Sequence, residues 1–436
     1  MTRTSRLAGG PLLGILLAVL RPAAVAAQTP EPVVVTLEQA VALALENDPA
    51  AVAAEAAVSM ADAGVLEARG AWLPSITVSS GYANSSNERF DQATGRLVSE
   101  SYTARAFANY EIFSGGRRFL EQRAAASQLD AADADLRAQR FRTILATTES
   151  FYGAAAADEL VRLAGQRLER ARQQLEFAQT RLDVGTATQS DVLRAQLEVG
   201  NAELAVVDAE SARRSARLRL GRQLGLEHGA VPAETALPER APDLPPLEEL
   251  VRRAERSAPQ VTAARAEVAS RRAARWAARS SYLPSIGISG GYDWFAFQFP
   301  PDQRSWSLRL TASLPVFDGF RREAAGARAA AAQRTAEARA RDAVIAVRVA
   351  VEDAAREIDA AERRIDIARR AVELAREDLR VQEERYRIGN ATIVELQTSQ
   401  VALADAEVAY VRARQALGVA IARLEATLGE RLDGGS

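Results

Sequence analysis

The amino-acid sequence predicts a mixed α/β membrane protein. Four strands per chain join those of identical copies in an outer-membrane β-barrel, and long coiled helices continue that barrel into the periplasm. Three observations carry this expectation: an export signal, a unit of about 200 residues written twice, and, in each unit, two alternating segments followed by a long helical stretch without proline.

Arg3 and Arg6 precede the apolar run PLLGILLAVL, and small residues ending in AVAAQ follow it. That order marks residues 1–27 as a secretory signal, with cleavage expected after Ala26 or Ala27. Arg21, directly after the apolar run, is slightly atypical. The run is about half the length that spans a bilayer, which favours removal over anchoring. Losing Arg3, Arg6 and Arg21 leaves 52 basic residues against 57 acidic ones. The mature chain is therefore mildly acidic, which argues against a nucleic-acid partner. Cysteine is absent, so neither disulfides nor a lipidated N-terminal cysteine exist. No apolar run after the signal approaches the length of a membrane helix. An exported chain of this kind is periplasmic, secreted, or a barrel of the outer membrane.

Laid over itself at an offset of 210, TLEQAVALALENDPAV meets PLEELVRRAERSAPQV and AWLPSITVSSGY meets SYLPSIGISGGY. Further on the offset is 204: FSGGRR at 113–118 meets FDGFRR at 317–322, and Gly185 meets Gly389. The expected organisation is a first repeat over 28–226, a Pro-rich linker over 227–246, a second repeat over 247–429 and a short tail over 430–436. Each repeat contains a hairpin (about 75–113 and 285–317), a long helix (117–184 and 320–388) and a shorter helix (190–226 and 392–428).

Each repeat opens with a short helical stretch broken at Pro49 or Pro259. A second helix then stops before Leu-Pro-Ser, because the residue preceding proline is pushed out of the helical region. Alternation follows. Trp306, Leu308, Leu310, Ala312 and Leu314 lie opposite Ser307, Arg309, Thr311 and Ser313, and Tyr102, Ala104, Ala106, Ala108, Tyr110 and Ile112 lie opposite Thr103, Arg105, Asn109 and Glu111. A soluble hairpin on its own core shows the same period. The segments here approach the roughly ten residues that cross an outer membrane, with aromatic residues near their ends. Tyr82, Tyr102, Tyr110, Tyr292, Trp294 and Trp306 are the candidate membrane-interface aromatics. Closure takes about eight strands, so four cannot close a barrel. An open edge in lipid leaves backbone groups unpaired, so several chains must pool their strands, and three copies give twelve.

The long helices would each extend about 100 Å at 1.5 Å per residue. Val344, Val351, Ile358, Ile365, Val372, Leu379 and Tyr386 recur every seventh residue, with Val347, Ala354, Ala361, Ala368 and Ala375 three positions further on. This is a heptad seam. The first repeat carries Val161, Ala164, Leu168, Ala171, Leu175, Ala178 and Leu182 in the same register. A second stripe comprises Ile367, Leu374, Val381 and Ile388, matched by Leu163, Phe177 and Val184. Two seams let each helix meet a neighbour on either side, so the helices can form a curved wall. Stacked end to end, the shorter helices match one long helix, giving two columns per repeat. A solid periplasmic coiled-coil spacer is the competing reading of the heptads alone.

The duplicated unit, the paired LPS turns, the FSGG and FDGF strand exits, and RLDVGTATQSDVL with RYRIGNATIVEL resemble the TolC-like outer membrane efflux proteins. The resemblance covers residues 36 to 429. It implies a homotrimer whose twelve-stranded barrel sits in the outer membrane and whose helical barrel crosses the periplasm. It also implies docking onto a periplasmic adaptor protein that links it to an inner-membrane pump. The chain would be a passive conduit for drug or metal efflux, or an outlet for type I protein secretion. No cofactor is implied.

Gly185 and Gly389 suit the left-handed residue that ends a helix, and Thr188 or Ser190, and Thr392, suit the cap of the next. By resemblance, the turns Val184, Gly185, Thr186, Thr188, Ser190 and Ile388, Gly389, Asn390, Thr392 meet the adaptor at the periplasmic tip. Asp191 and Glu395 would crowd the mouth of the pore, favouring cations and raising some carboxyl pKa values. Tyr386 matches the family's gate tyrosine, and its hydroxyl is expected to bond Asp191. Ala391 stands where the best-known pattern has a gate arginine, and Thr398 where it has a second acidic residue, so a less tightly shut resting state is expected.

Catalysis has little to stand on. The sole histidine, His228, lies in the linker and is expected to be solvated, and no GxSxG or phosphate-loop pattern is present. The remaining acidic residues, set among arginines at helical spacing, read as solvated faces. The cluster RRAARWAAR at 271–279 ends just before Leu283-Pro284, which favours lipid head groups over nucleic acid, with Trp276 as an interfacial anchor.

Overall fold

A computed structural model describes residues 33–91, 95–233 and 237–432. The expected signal and the last four residues lie outside these. In chain order the elements are β1 (Val33–Val35), α1 (Leu37–Asn47), α2 (Pro49–Gly70), β2 (Ser75–Asp91), β3 (Arg96–Phe113), α3 (Arg117–Asp183), α4 (Gln189–Gln223), β4 (Ala230–Pro232), α5 (Leu247–Ser257), α6 (Pro259–Ser280), β5 (Ser285–Ala296), β6 (Gln303–Ser313), α7 (Arg321–Arg387) and α8 (Ile393–Leu428). The long helices α3 and α7 have 67 residues each.

Local chemistry sets the breaks. Pro49 and Pro259 occupy the first turns of α2 and α6, where a missing N–H costs nothing. Asp48 ends α1 and caps α2, its Oδ1 accepting from the Ala50 N–H at 3.0 Å. α2 and α6 stop at Gly70 and Ser280, shortly before Pro74 and Pro284.

The four long strands form one antiparallel sheet in the order β2-β3-β5-β6, leaving β2 and β6 as edges. Residues directly opposite share a face. The rows Tyr82–Tyr102–Ala296, Ala106–Tyr292–Trp306 and Tyr110–Ile288–Leu310 put the aromatics Tyr82, Tyr102, Tyr110, Tyr292 and Trp306 on one face, and the pair Ala104–Trp294 adds Trp294. The other face carries Ser79, Arg105, Asp293 and Ser305 in one row, with Arg105 and Asp293 ion-paired. Phe107 also lies on this second face, over Gly291, where an added Cβ would sit 2.8 Å from its ring.

The helices make a wall. α3 has α2 and α4 on one side and α6 and α8 on the other, and α7 lies beyond α6 and α8. α2 and α4 thus share one column, α6 and α8 another. The heptad seam of α7 is buried against α8 through Val347, Val351, Ile358 and Ile365, packed with Leu417 and Leu424.

Two features depart from the sequence expectation. The chain does contain a helix after the signal that is long and apolar enough to cross a membrane, α2. It is alanine that raises its hydropathy; α2 lies along α3, with Ala51 and Val65 buried and Glu55 ion-paired to Arg140 at 2.9 Å. The expected linker also contains a strand, β4, which pairs in parallel with β1 at the start of the first repeat. Gly221 permits it: an added Cβ would sit 1.9 Å from the carbonyl oxygen of His228, which is half-buried against α4.

Candidate functional site

The far ends of α3 and α7 turn back into α4 and α8 through two equivalent loops. Gly185 (φ 77°) and Gly389 (φ 81°) take the left-handed conformation that a side chain resists. Thr188 and Thr392 then cap α4 and α8 through reciprocal boxes. Thr188 Oγ1 accepts from the Asp191 N–H at 3.3 Å, while Asp191 Oδ2 accepts from the Thr188 N–H at 2.9 Å. Glu395 Oε2 accepts from the Thr392 N–H at 2.6 Å and from its hydroxyl at 2.9 Å. These bonds hold the Glu395 carboxyl below the ordinary glutamate value. Ser190 lies inside the first turn of α4 and is not the cap. Val184 and Ile388 stand exposed at the two tips, and Thr186 and Asn390 complete the turns.

Each turn is also tied by an arginine. Arg181 donates to the Thr186 carbonyl at 3.1 Å, and Arg385, its counterpart 204 residues later, donates to that of Asn390 at 3.1 Å. Arg181 does more: it donates to the Tyr386 carbonyl at 2.8 Å and lies over the Tyr386 ring at 5.1 Å. This crosses from the first repeat to the second. The motif reading missed Arg181, although the self-alignment of RLDVG with RYRIG pairs it with Arg385.

Tyr386 is only 4% exposed and its ring packs on Phe177 at 5.9 Å. The expected bond to Asp191 is not made, because Asp191 is turned into its own capping box. Among the described residues the tyrosine hydroxyl and the Gln174 side-chain amide nitrogen both lack a hydrogen-bond partner, and both are buried beside a cavity of about 190 Å³ that Glu383 and Gln400 also line. Burial raises the Tyr386 hydroxyl above its ordinary pKa, opposed by Arg181 and reinforced by Asp191. Burial likewise raises Glu383, against the pull of Arg170 and Arg387.

Ion pairs tie the columns above the tip. Asp158–Arg217 (2.7 Å), Arg167–Glu198 (2.8 Å) and Arg172–Glu203 (3.1 Å) join α3 to α4. Glu407 on α8, buried, receives Arg170 from α3 at 3.9 Å and Arg376 from α7 at 3.5 Å. Reading the acidic residues as solvated faces overlooked Glu407, since sequence spacing does not show which face a third helix covers.

At the opposite end, the second arginine of each RR pair clamps a strand to its helix. Arg118 is buried, donates to the carbonyls of Ala71 and Ile112, and stacks on Trp72 at 4.6 Å. Arg322 repeats this with the Val316 carbonyl, Asp318 and the Tyr282 ring. Among the described residues no group of three or more acidic or histidine side chains is placed to hold a metal ion.

A profile of a protein family described as outer membrane efflux protein matches residues 40–226 and 250–430. The chain is 29% identical over 303 residues to Protein CyaE of Bordetella pertussis, across 67% of this chain and 63% of CyaE, so it spans less than two thirds of that relative. Its fold matches a solved structure of CusC with a TM-score of 0.80 at 17% identity, over 92% of this chain and 94% of the other. It matches the open state of the MtrE outer membrane channel of Neisseria gonorrhoeae with a TM-score of 0.77 at 20% identity, over 91% and 89%.

Proposed function

Because the chain belongs to the outer membrane efflux protein family, we propose that it is the outer-membrane channel of a tripartite efflux system: a passive homotrimeric conduit reaching through the periplasm. Each of its two repeats supplies one hairpin to a twelve-stranded barrel and two helical columns to the tunnel. A periplasmic adaptor protein meets the tips, and an inner-membrane pump supplies the energy.

One observation carries this reading. Above the tip the second apolar stripe of α3 is covered, with Leu163 buried and Phe177 half-buried, because α3 has neighbours on both sides, and within that stripe it is Val184, at the tip itself, that is exposed. The same stripe on α7, at the flank of the wall, is open: Ile367, Leu374, Val381 and Ile388 are exposed. The other flank, α4, exposes Leu193, Leu197, Leu204, Val207 and Leu218. Two different open stripes on opposite flanks favour head-to-tail contact, which closes into a ring. The free edges of β2 and β6 ask for the same closure, since lipid offers backbone groups no partner.

Leu204 and Leu374 lie at similar heights, about 20 Å above the tips at 1.5 Å per residue. The chain has no cysteine. Leu204→Cys with Leu374→Cys in one chain is expected to oxidise to dimers and trimers on a non-reducing gel. Material that stays monomeric would overturn the ring.

In this reading Asp191, Glu395 and Tyr386 form the gate, and the exposed turns around Gly185 and Gly389 take the adaptor. Planar-bilayer recordings test it: Asp191→Ala with Tyr386→Phe is expected to raise conductance and weaken cation preference, and unchanged values would remove these residues from the gate.

A further inference from the structure

We infer that Arg272, Trp276 and Arg279, on the outward face of α6 just below the sheet, form a binding patch for the head groups of anionic phospholipid. The inference rests on the membrane-spanning reading of the sheet.

The two sides of the helical wall are distinguished by one ion pair. Glu111 lies on the polar face of the sheet and binds Arg117 at 2.9 Å. Arg117 in turn lines a cavity of about 660 Å³ with Ala274, Ala277 and Ala278 of α6. That side of α6 therefore continues the polar face. At 3.6 residues per turn, Arg272, Trp276 and Arg279 centre about 180° away, on the side that continues the aromatic face.

Charge use separates the arginines of this helix. Arg271 is held by Glu267 at 2.7 Å, and Arg275 reaches Gln333 of α7 at 3.3 Å. Arg272 and Arg279 have no carboxylate partner among the described residues. Arg279 instead stacks over the Trp276 ring at 5.0 Å, and Trp276 is 52% exposed. The group ends one residue before the close of α6, a short turn from the start of β5.

An amphipathic ring flanked by two uncompensated cations, at the foot of a lipid-facing sheet, is the chemistry of a phosphate-bearing head group. The first repeat lacks it: at an offset of 210, Asp62 and Leu66 stand at the positions of Arg272 and Trp276, and only Arg69 keeps the charge. Anionic lipid should thus be held at α6 and not at α2.

Native mass spectrometry of the full-length protein in detergent tests this, with phosphatidylglycerol and phosphatidylcholine offered at equal concentration. Wild type should retain phosphatidylglycerol preferentially. Arg272→Gln with Arg279→Gln should cut that retention by about thirtyfold, two surface cations being removed, with single-channel conductance unchanged. Arg272→Lys with Arg279→Lys should restore most of it. Equal retention by wild type and the double Gln variant overturns the patch, as does a Lys variant no better than Gln, which would mean a packing role. Absence of pores in wild-type protein would instead fail the channel reading, a separately visible result.

Discussion

The Arg181 guanidinium donates to the main-chain carbonyl of Tyr386 at 2.8 Å and covers the same residue's ring. It thereby joins the tip of the first repeat to the tip of the second. The chain lacks an arginine after Gly389, and here the cation arrives from α3.

Arg181→Ala is therefore expected to loosen the tip more than Arg385→Ala, because only the first breaks a bond between repeats. A charge-assisted bond of this kind contributes about 1.5–3 kcal/mol. Larger conductance and faster proteolysis near Thr186 in Arg181→Ala than in Arg385→Ala would bear this out. Equal effects would reduce Arg181 to a turn-stabilising residue.

The α8 cap carries a pH dependence with a definite sign. Glu395 is held below its ordinary pKa by the Thr392 N–H and hydroxyl. Its contribution is fully present above the unfolded glutamate pKa of about 4.3 and is lost as pH falls through the lowered folded value. Hydrogen exchange in the first turn of α8 should accelerate, relative to intrinsic rates, as the pH drops below about 4. Glu395→Gln should remove that dependence.

Glu407→Gln should separate the two helical hairpins, since α3 and α7 both reach this one buried carboxylate. Breaking a buried pair costs about 3–5 kcal/mol; at 10% side-chain exposure and spacings of 3.5 Å and 3.9 Å, about 1–3 is expected here. A drop in melting temperature with increased spacing between spin labels on α4 and α7 would show it.

Phe320 is the one described non-glycine residue with a positive φ, 65°, where the first repeat has Gly116 at 84°. Phe320→Gly should stabilise the chain by about 1 kcal/mol by releasing that strain. A fall in melting temperature would mean that the contact of its ring with Phe317, centroids 5.6 Å apart, outweighs the strain.

Much of the architecture is legible in the sequence because it is periodic and duplicated. Pro49, Pro259 and the two Leu-Pro-Ser turns show where helices stop. Alternation shows which strand residues share a face, and heptads show which stripe of α7 is buried. These are local consequences of backbone sterics and of burial at fixed spacing, and each occurs twice at a constant offset. What the tertiary structure decided lies between elements distant in the chain: that α7 rather than α3 stands at the flank with an open stripe, that Glu407 is buried under two arginines, that Asp191 is spent on its own cap, and that Gly221 lets the linker form a strand. A side chain's period tells which way it points, but its partner is set by whichever helix packs against it, and that depends on closing loops hundreds of residues long.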